Sequence, residues 1–403
     1  MPNYSYKARD HSGRLIKGII TADNENDLRD RVGKTGYFLT HFQVTLSSAK
    51  IQAKAISKPI TQRDVLEFTI QLAISLDVGI SLLAVLKDIA RTTPSKSLKA
   101  IVEDITRRVE SGSSLKDALQ FHSNSFSKMY ISIVSAGEST GKLAMVMADL
   151  GKLLEWQMEL KARIQEASVY PIILFTVMTG VVLLLIMVVI PRFEPMFKEM
   201  GVALPLPTLF VMGLSSFLCT FWWMGLLGIG ALVWFFIYVK SNEILRYKLD
   251  RLKLNLPIVG SLLNKIALSQ FTHTFSLALA SGVDVFTAMT LAAEVTGNDY
   301  LEKTIMKARD YVNVGEKIST SLEKAGDFPG IVVRMINIGE QTGRLSVSLN
   351  KVNEFYDREV PATVKKMFAL FEPIMIVTMG VVVGGIALAV FLPMVQLISN
   401  IGG

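Results

Sequence analysis

The chain has 403 residues, half of them hydrophobic, and carries 42 Lys and Arg against 35 Asp and Glu for a formal charge of +7. That size admits several domains, and that composition excludes a wholly soluble globule. The single cysteine, Cys219, excludes an internal disulfide and lies in an apolar run, where it reads as a small core hydrophobe.

Residues 1–46 read as a small α+β module. Tyr4–Ala8 alternates as a strand, Arg14–Thr21 returns as a second, Asn24 can cap a helix to about Val32, and Tyr37–Val44 is a third strand. Met1–Asp10 is polar with no apolar run behind it, so membrane insertion is expected through internal spans. A basic linker, 47–60, carries Lys50, Lys54 and Lys58 as a solvated tether.

A first helical domain is expected over 61–171. Thr61 to Asp64 fits a capping box, and Val65, Phe68, Leu72 and Leu76 recur at helical spacing. Gly79 ends that helix and Ser81 caps a second to about Ala90. Pro94 opens a third to Val109, Ser114 caps a fourth, and Ser125 or Ser127 starts a fifth that stops at Gly137. A sixth, from Leu143, runs straight into the first span.

Three uncharged stretches satisfy the roughly 20 apolar residues a membrane helix needs. They are 172–190, 208–239 and 373–399, and the second is read as one helix with an interfacial start. The stretch 191–207 is read as an external loop and 400–403 as an external tail. Before the first span lie 23 Lys and Arg, between the second and third 17, and in 191–207 only Arg192 and Lys198. Basic residues stay on the cytoplasmic side, so the amino terminus and 240–372 are expected inside and the carboxyl terminus outside.

Residues 240–372 repeat the first helical domain at an offset of about 202 to 203: Phe271 answers Phe68, Gly282 answers Gly79, and Asp284 replaces Ser81 as a cap. Pro373 answers Pro171 at the mouth of a span, and Pro393 answers Pro191 at its far end. A repeat of this length is a duplicated domain. The fold class is therefore mainly α: a polytopic membrane protein with two homologous cytoplasmic helical bundles, three transmembrane helices and the small α+β amino-terminal module.

The repeat is most explicit in Gly137-Glu138-Ser139-Thr140-Gly141-Lys142-Leu143, which returns as Gly339-Glu340-Gln341-Thr342-Gly343-Arg344-Leu345. Only three residues separate the first glycine from Gly-Lys, leucine follows the lysine, and no strand precedes it, so it is not a phosphate loop. It reads as a turn between antiparallel helices: the first glycine takes the left-handed exit, the threonine caps the next helix, and the glutamate accepts from free amides or pairs with a base. A role in partner contact is the alternative, because a turn at the end of a bundle is exposed.

The four histidines lie apart, without ligand spacing, so no metal site, cofactor or catalytic residue is expected, and His273 reads as a packed helix residue. Trp222 and Trp223 are taken to mark helix packing, and Gly380, Gly384 and Gly385 form a small-residue face for close helix approach in the membrane. Charge-free spans argue against the rival class, a small transporter or membrane enzyme.

The doubled Gly-Glu-x-Thr-Gly-Lys/Arg-Leu turn, the three spans and Tyr170-Pro171 at the first span resemble the type II secretion F and type IV pilus PilC family across nearly the whole chain. The sequence departs from the family's pattern at Ser168, where an aliphatic residue is expected, and at Glu372, which stands in the position of Tyr170. The resemblance implies a non-enzymatic platform of the bacterial inner membrane. Its implied partners are a cytosolic hexameric assembly ATPase, pilin or pseudopilin subunits, other inner-membrane assembly proteins, membrane lipid and further copies of itself, as a homodimer or higher oligomer, with no nucleic acid.

Overall fold

The computed structural model describes residues 3–9, 15–21, 38–45, 60–199, 205–326 and 328–401. Among these, strands β1 (Asn3–Arg9), β2 (Leu15–Thr21) and β3 (Phe38–Thr45) form one antiparallel sheet in the order β2-β1-β3, with a bulge between Lys7 and Ala8. These strands fall on the three expected ones; the helix expected at Asn24–Val32 lies outside the described residues. Everything else described is helical or connecting chain.

The first helices are α1 (Gln62–Asp77), α2 (Leu82–Thr92), α3 (Lys96–Glu110) and α4 (Leu115–Gln120). Thr61 starts α1 through the expected reciprocal cap: its N–H donates to Asp64 Oδ2 at 2.8 Å, and its Oγ1 accepts from Asp64 N at 3.1 Å. Ser114 caps α4 through Asp117 N at 3.0 Å. Helices α2 and α3 bury Val85, Leu86 and Ile89 against Leu98, Ile101, Val102 and Ile105, a stripe at i, i+3 and i+4 spacing. Asp104 of α3 accepts from Arg107, Arg108 and His122 at 2.8, 2.7 and 3.0 Å. Burial opposes its charge, but these donors outweigh burial and hold its carboxyl down to about 2.

The chain divides into two compact units: residues 1–68 with 80–125, and residues 69–79 with 126–403. The second contains α5 (Lys128–Ser139) and α6 (Leu143–Leu184), which passes through a π-helical segment (Leu185–Val189) into α7 (Ile190–Glu199). Thus 191–207 opens as helix, where the sequence suggested a loop. After α8 (Leu206–Thr220), α9 (Trp222–Ser241) and α10 (Glu243–Leu254) come the helices of the second copy: α11 (Val259–Ala280), α12 (Val285–Glu294), α13 (Asp299–Asn313), α14 (Ile318–Ala325), α15 (Gly330–Thr342) and α16 (Leu345–Ile401).

Helix α11 is the axis of the second bundle. Phe271, Phe275, Leu268 and Ala278 are buried on it and meet Met289 of α12, Ile305 of α13, Leu322 of α14, Ile336 of α15, and Leu349, Val352 and Tyr356 of α16. Fully burying one such side chain is worth about 1.5–3 kcal/mol, so a shared core of this size fixes the bundle firmly. Asp284 caps α12 by accepting from Thr287 N at 2.9 Å, as expected of its replacement for Ser81.

Among the described residues, two helical stretches are long and apolar enough to cross a membrane, Leu143–Phe193 and Leu345–Val395. Each continues a bundle helix without interruption, so Pro171 and Pro373 lie inside helices. The stretch 208–239 is not the single helix expected: α8 and α9 part at Phe221 (φ −109°, ψ 25°). No Gly or Pro marks the break, which falls in a run of bulky residues, Thr220–Trp223, with low helix propensity.

Candidate functional site: repeated turns and coupled spans

Both repeated turns are built alike, and the second glycine, not the first, takes the left-handed conformation: φ is +69° at Gly141 and +66° at Gly343. The bonds Lys142 N to Gly137 O and Arg344 N to Gly339 O, both 2.9 Å, close the helix end six residues to one. Accordingly α5 and α15 run on to Ser139 and Thr342, past the first glycine. The first glycine is helical and serves close packing instead. A Cβ at Gly137 would lie 2.9 Å from Val146 Cβ, and one at Gly339 would lie 2.8 Å from Leu345 Cα. The threonines bond backward rather than capping the next helix: Thr140 Oγ1 donates to Ala136 O at 2.7 Å and Thr342 Oγ1 to Ile338 O at 2.8 Å.

Glu340 closes the junction. Its carboxylate accepts from Ile318 N at 2.5 Å, Ser319 N at 2.9 Å and Ser319 Oγ at 2.5 Å. Lys317 at the N-cap of α14 makes no side-chain cap bond, so Glu340 supplies the cap from another helix, and its negative charge suits the helix amino terminus. Glu138 occupies the matching position on α5. The motif is therefore a helix junction: glycine for approach, glutamate for capping a neighbour, threonine and glycine for the exit.

The two long helices meet beyond the turns. Trp156 of α6 donates from Nε1 to Asp357 Oδ1 of α16 at 2.8 Å and stacks on His273 of α11 at 3.8 Å between ring centres. His273 Nδ1 lies 3.0 Å from Ser269 O and Nε2 lies 3.6 Å from Asp357 Oδ1. Burial works against the Asp357 charge, but His273, Trp156 and Arg163 outweigh it and keep the carboxyl below the usual carboxylate range. Nδ1 is engaged by the Ser269 carbonyl and Nε2 faces the Asp357 carboxylate beyond hydrogen-bond range. The ring ties three helices together, in keeping with the packed role expected of it. Further along α6 and α16 a cleft of about 630 Å³ is lined by Leu160, Ile164, Tyr170, Val364, Lys365 and Phe368, just before the apolar stretches begin. Tyr170 and Glu372, equivalent positions in the two copies, approach each other there at 3.5 Å.

Within the apolar segments, α8 grips both long helices. Pro393 has no N–H, so it leaves Ala389 O without its helical donor, and Thr208 Oγ1 donates to that oxygen at 2.7 Å. Pro191 likewise cannot serve Ile186 O in the π register or Met187 O in the α register. Ser215 Oγ donates to Ile186 O at 2.6 Å, and Cys219 Sγ lies 3.8 Å from Met187 O. Cys219 is thus an exposed thiol beside the π segment, and not the core hydrophobe expected. Thr208 and Ser215 are seven residues apart and share a face of α8. These hydroxyls escaped the sequence reading; the prolines one turn beyond each carbonyl were the available signal.

Gly380, Gly384 and Gly385 have no atom within 4 Å of where a Cβ would stand, so among the described residues no other helix packs closely on them. Trp223 is exposed, and its nearest ring partner is Phe221. Among the described residues no group of three or more His, Cys, Asp or Glu is placed to hold a metal.

A duplicated bundle, a junction motif in each copy and a long helix running from each bundle into an apolar stretch agree with comparisons to known proteins. The family model described as type II secretion system protein F matches twice, at residues 68–191 and 271–393, and the model of its amino-terminal domain matches residues 1–43. A type IV pilus assembly protein PilC of Thermus thermophilus is 33% identical over 100% of this chain and 99% of its own. The PilC of Myxococcus xanthus is 31% identical over 99% and 95%, and the type II secretion system protein F of Vibrio cholerae is 27% identical over 98% of both. The chain belongs to the type II secretion system protein F family.

Proposed function

We propose that the chain is the inner-membrane platform of a type IV pilus assembly or type II secretion machine. The observation that carries the reading is mechanical continuity: α6 and α16 each run unbroken from a helical bundle into an apolar, membrane-length stretch. A force applied to either bundle is passed to the membrane by one rigid rod. The coupling of Trp156, His273 and Asp357 favours joint motion of the two rods.

On this reading residues 61–171 and 240–372 are the cytoplasmic domains, and α8 and α9 together return the chain across the bilayer so that both bundles face the same side. The amino terminus is cytoplasmic and the carboxyl terminus periplasmic. The partners are a cytosolic hexameric ATPase that drives the bundles and pilin or pseudopilin subunits guided from the bilayer into a fibre. Pro171 and Pro373 mark the cytoplasmic mouths, and Gly380, Gly384 and Gly385 leave one face of α16 open to a helix of another molecule. The repeated turns at Gly137–Leu143 and Gly339–Leu345 serve the bundle first. The rival reading, a transporter or membrane enzyme, has little support, since Thr208 and Ser215 are engaged by backbone carbonyls. Purifying the tagged chain from native membranes tests the proposal. Recovery of an assembly ATPase supports it, and specific solute uptake by the chain alone in vesicles would replace it with the rival.

A further inference from the structure

The two copies are equivalent in sequence but not in what covers them. In the second copy the end of α11 lies under the first copy: Leu277 is only 9% exposed and shares a small cavity with Leu153 and Trp156 of α6. At the tip, a Cβ on Gly282 would stand 3.7 Å from Thr140 Cγ2 of the first turn. The equivalent end of α1 is bare. Ile74, which answers Leu277, is 61% exposed, Val78 is 75% exposed, and Gly79, which answers Gly282, has nothing among the described residues within 4 Å of a Cβ position.

The opposite half of this contact is also unused. Phe355 and Arg358 of α16 answer Leu153 and Trp156 of α6, and both are exposed. The second turn, at Thr342, is exposed, as is the first at Thr140, but among the described residues only the first lies beside a helix end of the other copy, with Thr140 Cγ2 near Gly282. One chain therefore carries one copy of the contact made and the two complementary halves of a second copy left open.

We propose that a second copy of this chain fills the gap, its α15–α16 turn and the Phe355 face of α16 seating on the Ile74 face of α1 as the first turn and α6 seat on α11. Charge supports this occupant. Asp77 of α1 and Arg358 of α16 have no ion-pair partner among the described residues, and they occupy the positions of Ala280 and Trp156, which line one cavity. The contact is head to tail, because two different faces meet. Chains held by their spans in one membrane plane repeat such a contact about an axis normal to that plane, so the assembly is a ring when the rotation closes and an open row when it does not.

The test uses full-length chains in native membranes, in a Cys219→Ser background. Chains carrying Ile74→Cys with one tag and Phe355→Cys with another are coexpressed and treated with a short bis-maleimide. The expected product is a mixed-tag dimer several-fold more abundant than either same-tag dimer. Asp77→Arg should lower its yield several-fold, and Arg358→Asp on the other chain should restore it. Same-tag dimers as abundant as the mixed one, absence of a mixed dimer, or a mixed dimer indifferent to both charge changes would overturn the proposal. All four positions are exposed, so these variants keep the fold.

Discussion

Thr208→Val deletes a hydroxyl and keeps the side-chain shape. In the native chain it leaves Ala389 O with neither a helical donor, which Pro393 removes, nor the hydroxyl 2.7 Å away. A hydrogen bond between membrane helices is worth about 0.6 kcal/mol on average, while a stranded buried carbonyl costs about 1–3 kcal/mol. Thr208→Val alone should therefore destabilise the spans by about 1–3 kcal/mol. Pro393→Ala restores an N–H that reaches Ala389 O in the α register. In that background Thr208→Val should cost about 0.6 kcal/mol or less, a coupling of roughly 1–2 kcal/mol. The assay is a double-mutant cycle by denaturant unfolding in detergent, read by fluorescence. Equal costs of Thr208→Val in the two backgrounds would refute the link between proline and hydroxyl.

Three further outcomes follow from the bundles. Gly339→Ala should destabilise the second bundle by about 1–3 kcal/mol through overpacking against Leu345, and Gly343→Ala by about 1–2 kcal/mol through the left-handed backbone; thermal unfolding checks both, and neutrality at Gly339 would remove its packing role. Glu340→Ala should speed amide exchange at Ile318 and Ser319 and destabilise by about 2–4 kcal/mol, with Glu340→Gln recovering part of the loss; unchanged exchange there would contradict the capping assignment. Asp104, with its carboxyl held near 2 in the fold against 3.8 free, contributes stability that is complete above about pH 4 and is lost as pH falls through about 2, on the order of 1 kcal/mol once solvent screening at this part-exposed site is allowed for. Melting temperature measured from pH 6 to pH 2 should show this loss, and Asp104→Asn should remove that part of the slope.

Local chemistry was legible where local rules decide. The reciprocal cap of Thr61 and Asp64, the caps at Ser114 and Asp284 and the helix periodicity of both copies follow from side chains within one turn of the backbone they serve. The repeated turn is legible in the sequence, but the left-handed residue is its second glycine and not the first. Either could take the left-handed position by local rules; the close approach of Val146 and Leu345 decides, and that is a tertiary fact. The break at Phe221 carries no local punctuation. The hydroxyl grip of α8 depends on which carbonyls two prolines release on other helices. Glu340 was expected either to accept amides at the start of the following helix or to pair with a base in a neighbouring one; it accepts the amides of α14, a choice only packing makes.

If each bundle drives its span as one rod, softening the helix between them uncouples the two. Inserting two glycines between Phe371 and Glu372 in α16, and between Ser168 and Val169 in α6, softens each rod beyond the last residues that pack on the bundle core, Phe368 and Ala167. Surface fibres, or secretion of a reporter substrate, are then counted in cells that make normal amounts of the variant. Fibre or secretion output is expected to be lost although the variant still reaches the membrane; full output from both softened variants would rule out coupling through the rods.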